Sequence, residues 1–264
     1  MSAKTACVII IGNEILTGRT QDVNLGHIGK QMLEAGIKLA HARVIPDIPE
    51  DIVRNVQECS KAYTYVFTTG GIGPTHDDIT AENVAKAFGV PLLLNPEARA
   101  RLLRHYGSED QLTEPRLRMA MIPQGAKLID NPVSTAPGFN IGNVYVMAGV
   151  PRIMQAMLDG IVPTLAGGPP IRTRSIGCFL PESQIAPGLT KVAEEFSDLE
   201  IGSYPYFRPG GFGLSLVVRG TDTKRLDQAV AALGALIESL GGSPVLGIDE
   251  TAVPEPSSQA QSQK

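Results

Sequence analysis

Residues 5–11 read TACVIII, an apolar run that stops at Gly12. A strand of this composition shows water no polar face, and such strands belong to parallel sheets covered on both sides. The sequence beyond repeats the pattern. Leu25, Ile28, Met32 and Leu33 recur at helical spacing before Gly36, a helix stop. Ile37 to Ile45 reads as a second strand. Ile52, Val53 and Val56 mark a helix whose first turn carries Pro49, Glu50 and Asp51, which suits the helix dipole. Tyr63 to Thr69 is a third strand, and Ala81, Val84, Ala85 and Phe88 mark a helix ended by Gly89. This βαβαβα order demands a parallel sheet with right-handed crossovers.

The middle of the chain is less regular. Pro96 to Tyr106 and Thr113 to Met121 look helical. Ala126 to Ile129 and Asn143 to Met147 look like strands with a Pro/Gly loop, NPVSTAPGF, between them, and Pro151 to Leu158 forms a last helix. AGGPP, 166–170, reads as a linker. Beyond it a strand at Arg172 to Phe179, a helix from Ser183 to Phe196, strands near Glu200 to Phe207 and Phe212 to Arg219, and a helix from Asp222 to Leu240 make a small α+β unit. The expected division is 1–166, 171–246 and a polar tail at 251–264, which cannot bury a core and is expected to be disordered.

Composition narrows the function classes. Hydrophobic residues are 43% of 264 and the formal net charge is −4, so the chain is globular and a poor general binder of nucleic acid. Three widely spaced cysteines with no metal-ligand spacing argue against a disulfide framework and for a reducing compartment. No apolar run reaches the ~18 residues of a membrane span and no signal-peptide pattern opens the chain, so the expectation is a cytoplasmic protein without a membrane partner.

The sharpest chemical feature is TTGGIGPTHDDIT, Thr68 to Thr80, between a strand and a helix. Ligands of open parallel sheets bind at the carboxyl ends of strands. Gly70, Gly71 and Gly73, with Thr69, would let backbone N–H groups approach an anion, helped by the helix that follows. The block is neither a Walker A loop nor a Rossmann fingerprint. Asp77 and Asp78 would repel a bare phosphate, and a divalent cation between them resolves that conflict. A tight turn capped by Asp78 or Thr80 would explain the same residues. GNEILTG places Asn13 and Glu14 after the first strand, and Asp47 follows the second; each taken alone also reads as ordinary turn or helix-start chemistry. Ser134, in NPVSTAPGF, and Gly149, in the AGVP turn, suit a second phosphate or a pterin-like ring, or are structural turns. No Lys or Arg stands in the glycine loop.

Other candidates weaken. The four histidines share no zinc spacing, and neither Ser134 nor Ser203 sits in a nucleophile elbow. Gly210 to Gly213 has the letters of a KH-type RNA clamp, but it falls between two strands, and 171–246 holds seven Lys/Arg against eight Asp/Glu. It reads as a hairpin.

GNEILTG, TTGGIGPTHDDIT, NPVSTAPGF and the GVPR turn together resemble the N-terminal part of the competence-damage-inducible protein A (CinA) family, within the wider molybdopterin-binding MoaB/MogA fold. The resemblance runs from about Cys7 to Leu165, and the unit beyond looks like the KH-like domain of CinA proteins. It implies a three-layer αβα domain on a mostly parallel sheet, a nucleotide or pterin pocket at the strand ends, and dimers or trimers. It also implies a divalent-metal-dependent pyrophosphatase, with Mg²⁺ or a similar ion, acting on ADP-ribose or FAD-like dinucleotides. Asp78 and Asp47 match acids of the active site, with Asp78, Asp77 and Glu14 as metal ligands. The alternative is a module that binds molybdopterin or a nucleotide without turning it over, as in molybdenum cofactor biosynthesis. The sequence departs from the family in lacking a nicotinamide-nucleotide amidase domain, in Ala148 where many relatives have a proline, and in Ser134 where many have glycine.

Overall fold

A computed structural model describes residues 4–208 and 211–246. It divides into two compact units, 1–170 and 171–264.

The first unit opens with β1 (Thr5–Ile11), α1 (Asn13–Leu16), α2 (Asn24–Glu34), β2 (Lys38–Ile45), α3 (Pro49–Ala62), β3 (Tyr65–Thr69) and α4 (Thr80–Phe88). It continues with β4 (Leu92–Leu94), α5 (Pro96–Tyr106), α6 (Glu114–Arg118), β5 (Met121–Pro123), β6 (Lys127–Ile129), β7 (Gly138–Ile141), β8 (Val144–Met147) and α7 (Pro151–Ile161). The main sheet has the order β2-β1-β3-β8-β7-β6. The first four strands are parallel, and β7 and β6 are antiparallel additions.

TACVIII behaves as its composition requires. Cys7, Ile9 and Ile11 pack with Ile52, Val56 and Cys59 of α3 and Val84 of α4. Ala6, Val8 and Ile10 pack with Ile28 and Met32 of α2 and Met154, Met157 and Leu158 of α7. The alternating residues of one strand thus enter two cores, which makes three layers. Because these four strands run parallel, the carboxyl ends of β1, β2, β3 and β8 lie at one edge of the sheet.

Three local expectations are corrected. The helix expected over 113–121 covers only Glu114–Arg118, because Met121–Pro123 is drawn into a two-stranded sheet with Leu92–Leu94. NPVSTAPGF is a loop only as far as Pro137, since Gly138–Ile141 pairs with both β6 and β8. The 166–170 linker begins anchored: Ala166 N–H donates to Tyr65 Oη at 2.9 Å and Gly168 N–H to Ala35 O at 3.2 Å.

The second unit runs β9 (Arg172–Cys178), α8 (Glu182–Glu195), β10 (Glu200–Arg208), β11 (Gly211–Gly220), α9 (Thr223–Ser239) and β12 (Val245–Leu246). Its order is β10-β11-β9-β12 with antiparallel neighbours, a split βαβ with one short strand beyond the expected βαββα. Ile176, Leu214, Leu216 and Val218 on the sheet bury against Ile185 of α8 and Leu226, Leu233 and Ile237 of α9. Gly213 pairs with Tyr206 inside the ladder, where its backbone is committed to the sheet; Gly210 lies outside the described residues, as does the 251–264 tail. Among the described residues no helix is long and apolar enough to cross a membrane.

Candidate functional site

Four loops leave the shared strand edge, one after each parallel strand. After β1 the chain turns at Gly12 into the one-turn helix α1, which exposes Asn13 and Glu14. After β2 comes Pro46-Asp47. Asn13 N–H donates to Asp47 Oδ2 at 2.9 Å, so the first two loops are joined. After β3 comes the glycine loop, and after β8 the turn that holds Gly149. The Gly149 carbonyl accepts from Asn24 Nδ2 at 2.8 Å, and the Cα of Gly149 faces that of Gly70 closely enough that an added Cβ would lie 3.2 Å away.

The glycine loop is locked from behind. Gly70 has φ +102°, and a Cβ there would meet Ile11 O at 2.1 Å. Gly71 has φ +67°, and a Cβ there would meet Thr80 Oγ1 at 2.2 Å. Thr80, fully buried at the start of α4, donates its hydroxyl to Gly70 O at 3.0 Å and its N–H to Gly71 O at 2.9 Å. Only glycine combines these left-handed angles with so close an approach. Thr69 is buried at the strand end and offers the site backbone alone.

Beyond the glycines, Thr75 gathers the two aspartates. Its N–H donates to Asp78 Oδ2 at 2.8 Å, and its Oγ1 lies 2.6 Å from Asp77 Oδ1 and 2.5 Å from Asp78 Oδ2. A hydroxyl has one proton, so it serves one of these carboxylates at a time. Two negative groups are therefore held around a single donor. The Thr75 hydrogen bond holds the Asp77 carboxyl below its usual range. Asp47 shows the opposite. Partial burial pushes its carboxyl up, with smaller contributions from Glu14, Asp77 and Asp78, against the lowering effect of the Asn13 N–H. Four acids read from three separate loops thus share one electrostatic neighbourhood.

Among the described residues no three His, Cys, Asp or Glu side chains converge tightly enough to hold a metal ion alone. The donor set still suits magnesium. That ion keeps its waters and is commonly held by one or two carboxylates plus substrate phosphates rather than by an all-protein cage. Asp78 with Asp77, and Glu14 across the edge, are the carboxylates available for such a shared shell.

A cleft of about 90 Å³ opens beside the loop. Gly71, Gly73 and Asp78 of the loop line it together with Glu82 and Arg118, and its apolar lining includes Met119, Met121 and Phe139. Arg118 is the functional candidate that reading the sequence missed. It arrives from α6, and no motif links it to the glycine loop. Ser134 does not line the cleft. It belongs to a loop organised by buried Asn131, whose Nδ2 donates to Ser134 Oγ at 2.7 Å and Ala136 O at 2.8 Å, while its Oδ1 accepts from the N–H of Val133 and of Ser134. That loop reaches the cleft through Pro137 and Phe139 instead.

Residues 7–167 match the family described as "Probable molybdopterin binding domain", and residues 170–241 match "FAD synthase, middle domain". Protein Ta0487 of Thermoplasma acidophilum is 33% identical over 91% of this chain and 98% of its own length. The "Probable FAD synthase" of Caenorhabditis elegans is 32% identical over 89% of this chain, which spans 50% of that relative. A solved structure, described as the protein CinA with unknown function from Thermoplasma acidophilum, is 38% identical with a TM-score of 0.58; the match covers 61% of this chain and 98% of that one.

Proposed function

The chain belongs to the molybdopterin-binding-domain family, and from that premise we propose that it is a divalent-metal-dependent hydrolase of nucleotide diphosphates such as ADP-ribose or FAD. The observation that carries this reading is that Glu14, Asp47, Asp77 and Asp78, from three loops at one sheet edge, share an electrostatic neighbourhood beside a rigid glycine loop. A neutral ligand gives four acids nothing to do, whereas a magnesium diphosphate uses both the carboxylates and the N–H donors. The FAD synthase match of residues 170–241 and the relative named a probable FAD synthase support an adenine dinucleotide as the substrate class.

In this reaction water adds to one phosphorus and the bridging P–O bond breaks. ADP-ribose yields AMP and ribose 5-phosphate, and FAD yields AMP and FMN. The ion, when bound, neutralises diphosphate charge and makes the attacking water more acidic. Asp78 and Asp77 would hold it, with Glu14 alongside. Partial burial makes the ionised Asp47 carboxylate a stronger base than an exposed one, and in that form it would take the proton released by the water. Its orientation is set by the Asn13 N–H on Oδ2, which leaves Oδ1 for the water. Gly71 and Gly73 would present backbone to the phosphates; the expectation that Gly70 does the same is corrected, since its N–H donates to Met147 O at 3.2 Å and its carbonyl accepts from the Thr80 hydroxyl. From the loop that holds Ser134, Pro137 and Phe139 line the cleft, while Ser134 and Gly149 do not.

The test is AMP release from ADP-ribose and FAD with Mg²⁺, Mn²⁺ or Co²⁺, with and without EDTA, for the wild type and Asp78→Asn. The amide keeps an oxygen for the Thr75 N–H but loses the charge. Turnover is expected to fall by orders of magnitude with the fold retained. Near-wild-type, EDTA-sensitive hydrolysis by Asp78→Asn would remove its role, and no AMP with any metal would leave a binding module.

A further inference from the structure

The arginines of α5 and α6 divide into two groups. Arg99 pairs with Glu109, Arg101 with Glu97 and Asp130, and Arg116 with the Gln111 carbonyl and the Tyr106 ring. The side chains of Arg104 and Arg118 make no ion pair or hydrogen bond with any described residue, and of these two Arg118 lines the cleft. The acids nearest to it in the cleft are engaged: Glu82 with Lys86 at 2.8 Å, and Asp78 with Thr75. An uncommitted guanidinium therefore lines the same cleft as the glycine loop.

Its backbone is well placed to hold it there. Arg118 ends α6, and the next turn is fixed by Met119 N–H to Arg116 O and by buried Ala120, whose carbonyl accepts from Asn95 N–H at 2.9 Å. Met121 then enters the ladder with Leu94. The side chain has freedom, while its origin does not.

We propose that Arg118 is the anion clamp of the site, holding one phosphate of a nucleotide diphosphate against the Gly71–Gly73 backbone. The planar fork of the guanidinium matches two phosphate oxygens at once, which a lysine ammonium does not. The cleft admits the phosphoryl end of such a ligand, with the apolar lining of Met119, Met121 and Phe139 for the group attached to it. Arg118 thereby supplies the cation that the glycine loop lacks, and it separates phosphorylated nucleotides from the uncharged nucleoside. This assignment rests on the nucleotide-diphosphate reading of the site.

Calorimetric binding to the full chain in Mg²⁺ buffer tests it, with ADP and adenosine as probes and wild type, Arg118→Gln and Arg118→Lys as proteins. Arg118→Gln is expected to weaken ADP at least tenfold and leave adenosine unchanged. Arg118→Lys is expected to recover only part of the loss. Because Arg118 is exposed, both variants should melt as the wild type does. ADP affinity within twofold of wild type in Arg118→Gln overturns the clamp even where wild-type hydrolysis stands. A wild type that binds ADP through Arg118 but releases no AMP from ADP-ribose overturns the hydrolase and leaves the clamp. A wild type that does not bind ADP overturns both.

Discussion

Gly71→Ala tests whether the glycine loop is rigid because of Thr80. Gly71 has φ +67°, and its missing side chain would lie 2.2 Å from Thr80 Oγ1 and 3.2 Å from Thr80 Cβ. Two costs follow. Forcing an L-residue into the left-handed region takes about 1–2 kcal/mol. Displacing the Thr80 hydroxyl breaks its 3.0 Å bond to Gly70 O in a buried place, about 1–3 kcal/mol. The sum is about 3 kcal/mol, or roughly 6–12 °C in Tm for a chain of this size. Gly89 is a matched control, because it has the same φ of +67° with no atom within 4 Å of the added methyl. Gly89→Ala should therefore cost only the conformational part, about 1 kcal/mol. Urea denaturation of both variants, and of Gly71→Ala combined with Thr80→Ala, gives the comparison. The combined variant should be more stable than additivity demands by about 1 kcal/mol, since the clashing hydroxyl is gone. Equal losses for Gly71→Ala and Gly89→Ala, or strict additivity in the double variant, would refute the lock.

Two further outcomes follow from the site. Asp47→Asn should raise Tm at neutral pH: the native carboxyl is pushed up, so the folded state holds its proton more tightly than the unfolded chain, and ionised Asp47 opposes folding as pH rises above the unfolded value. The gain should vanish in melts taken below the ordinary aspartate value of 3.8, and a Tm advantage that persists there would contradict this. Asn131→Ala removes four hydrogen bonds that shape the 131–137 loop, including the turn with Thr135 at φ +68°, and should cost about 2–3 kcal/mol by urea denaturation; a loss under 0.5 kcal/mol would mean the loop holds itself.

The parts of this protein legible in its sequence are those settled by neighbours along the chain. TACVIII had to be a strand buried on both faces, and its alternate residues do enter two cores. The β–α alternation required parallel strands, and parallel strands put the carboxyl ends of β1, β2 and β3 at one edge. That is why Asn13, Glu14, Asp47, Asp77 and Asp78 could be read as one neighbourhood before any coordinate was known. Gly70 and Gly71 were legible as special positions for the same reason, being turn residues between a strand and a helix.

Tertiary structure decided what depends on distance between remote segments. Met121–Pro123 is too short and too close to a helical stretch to declare itself a strand, and becomes one only because Leu92–Leu94 lies beside it. Gly138–Ile141 hides in a Pro/Gly loop until β8 and β6 offer it hydrogen bonds on both sides. The contact between Gly71 and Thr80 reversed the meaning of the glycine: its bare Cα faces the threonine hydroxyl, so a methyl there threatens the fold first. Arg118 looked like any helix-end cation, and only the tertiary packing gave it a cleft to line together with the glycine loop. Periodicity and turn chemistry act over a few residues, while the position of one side chain opposite another is set by the packing of every element between them.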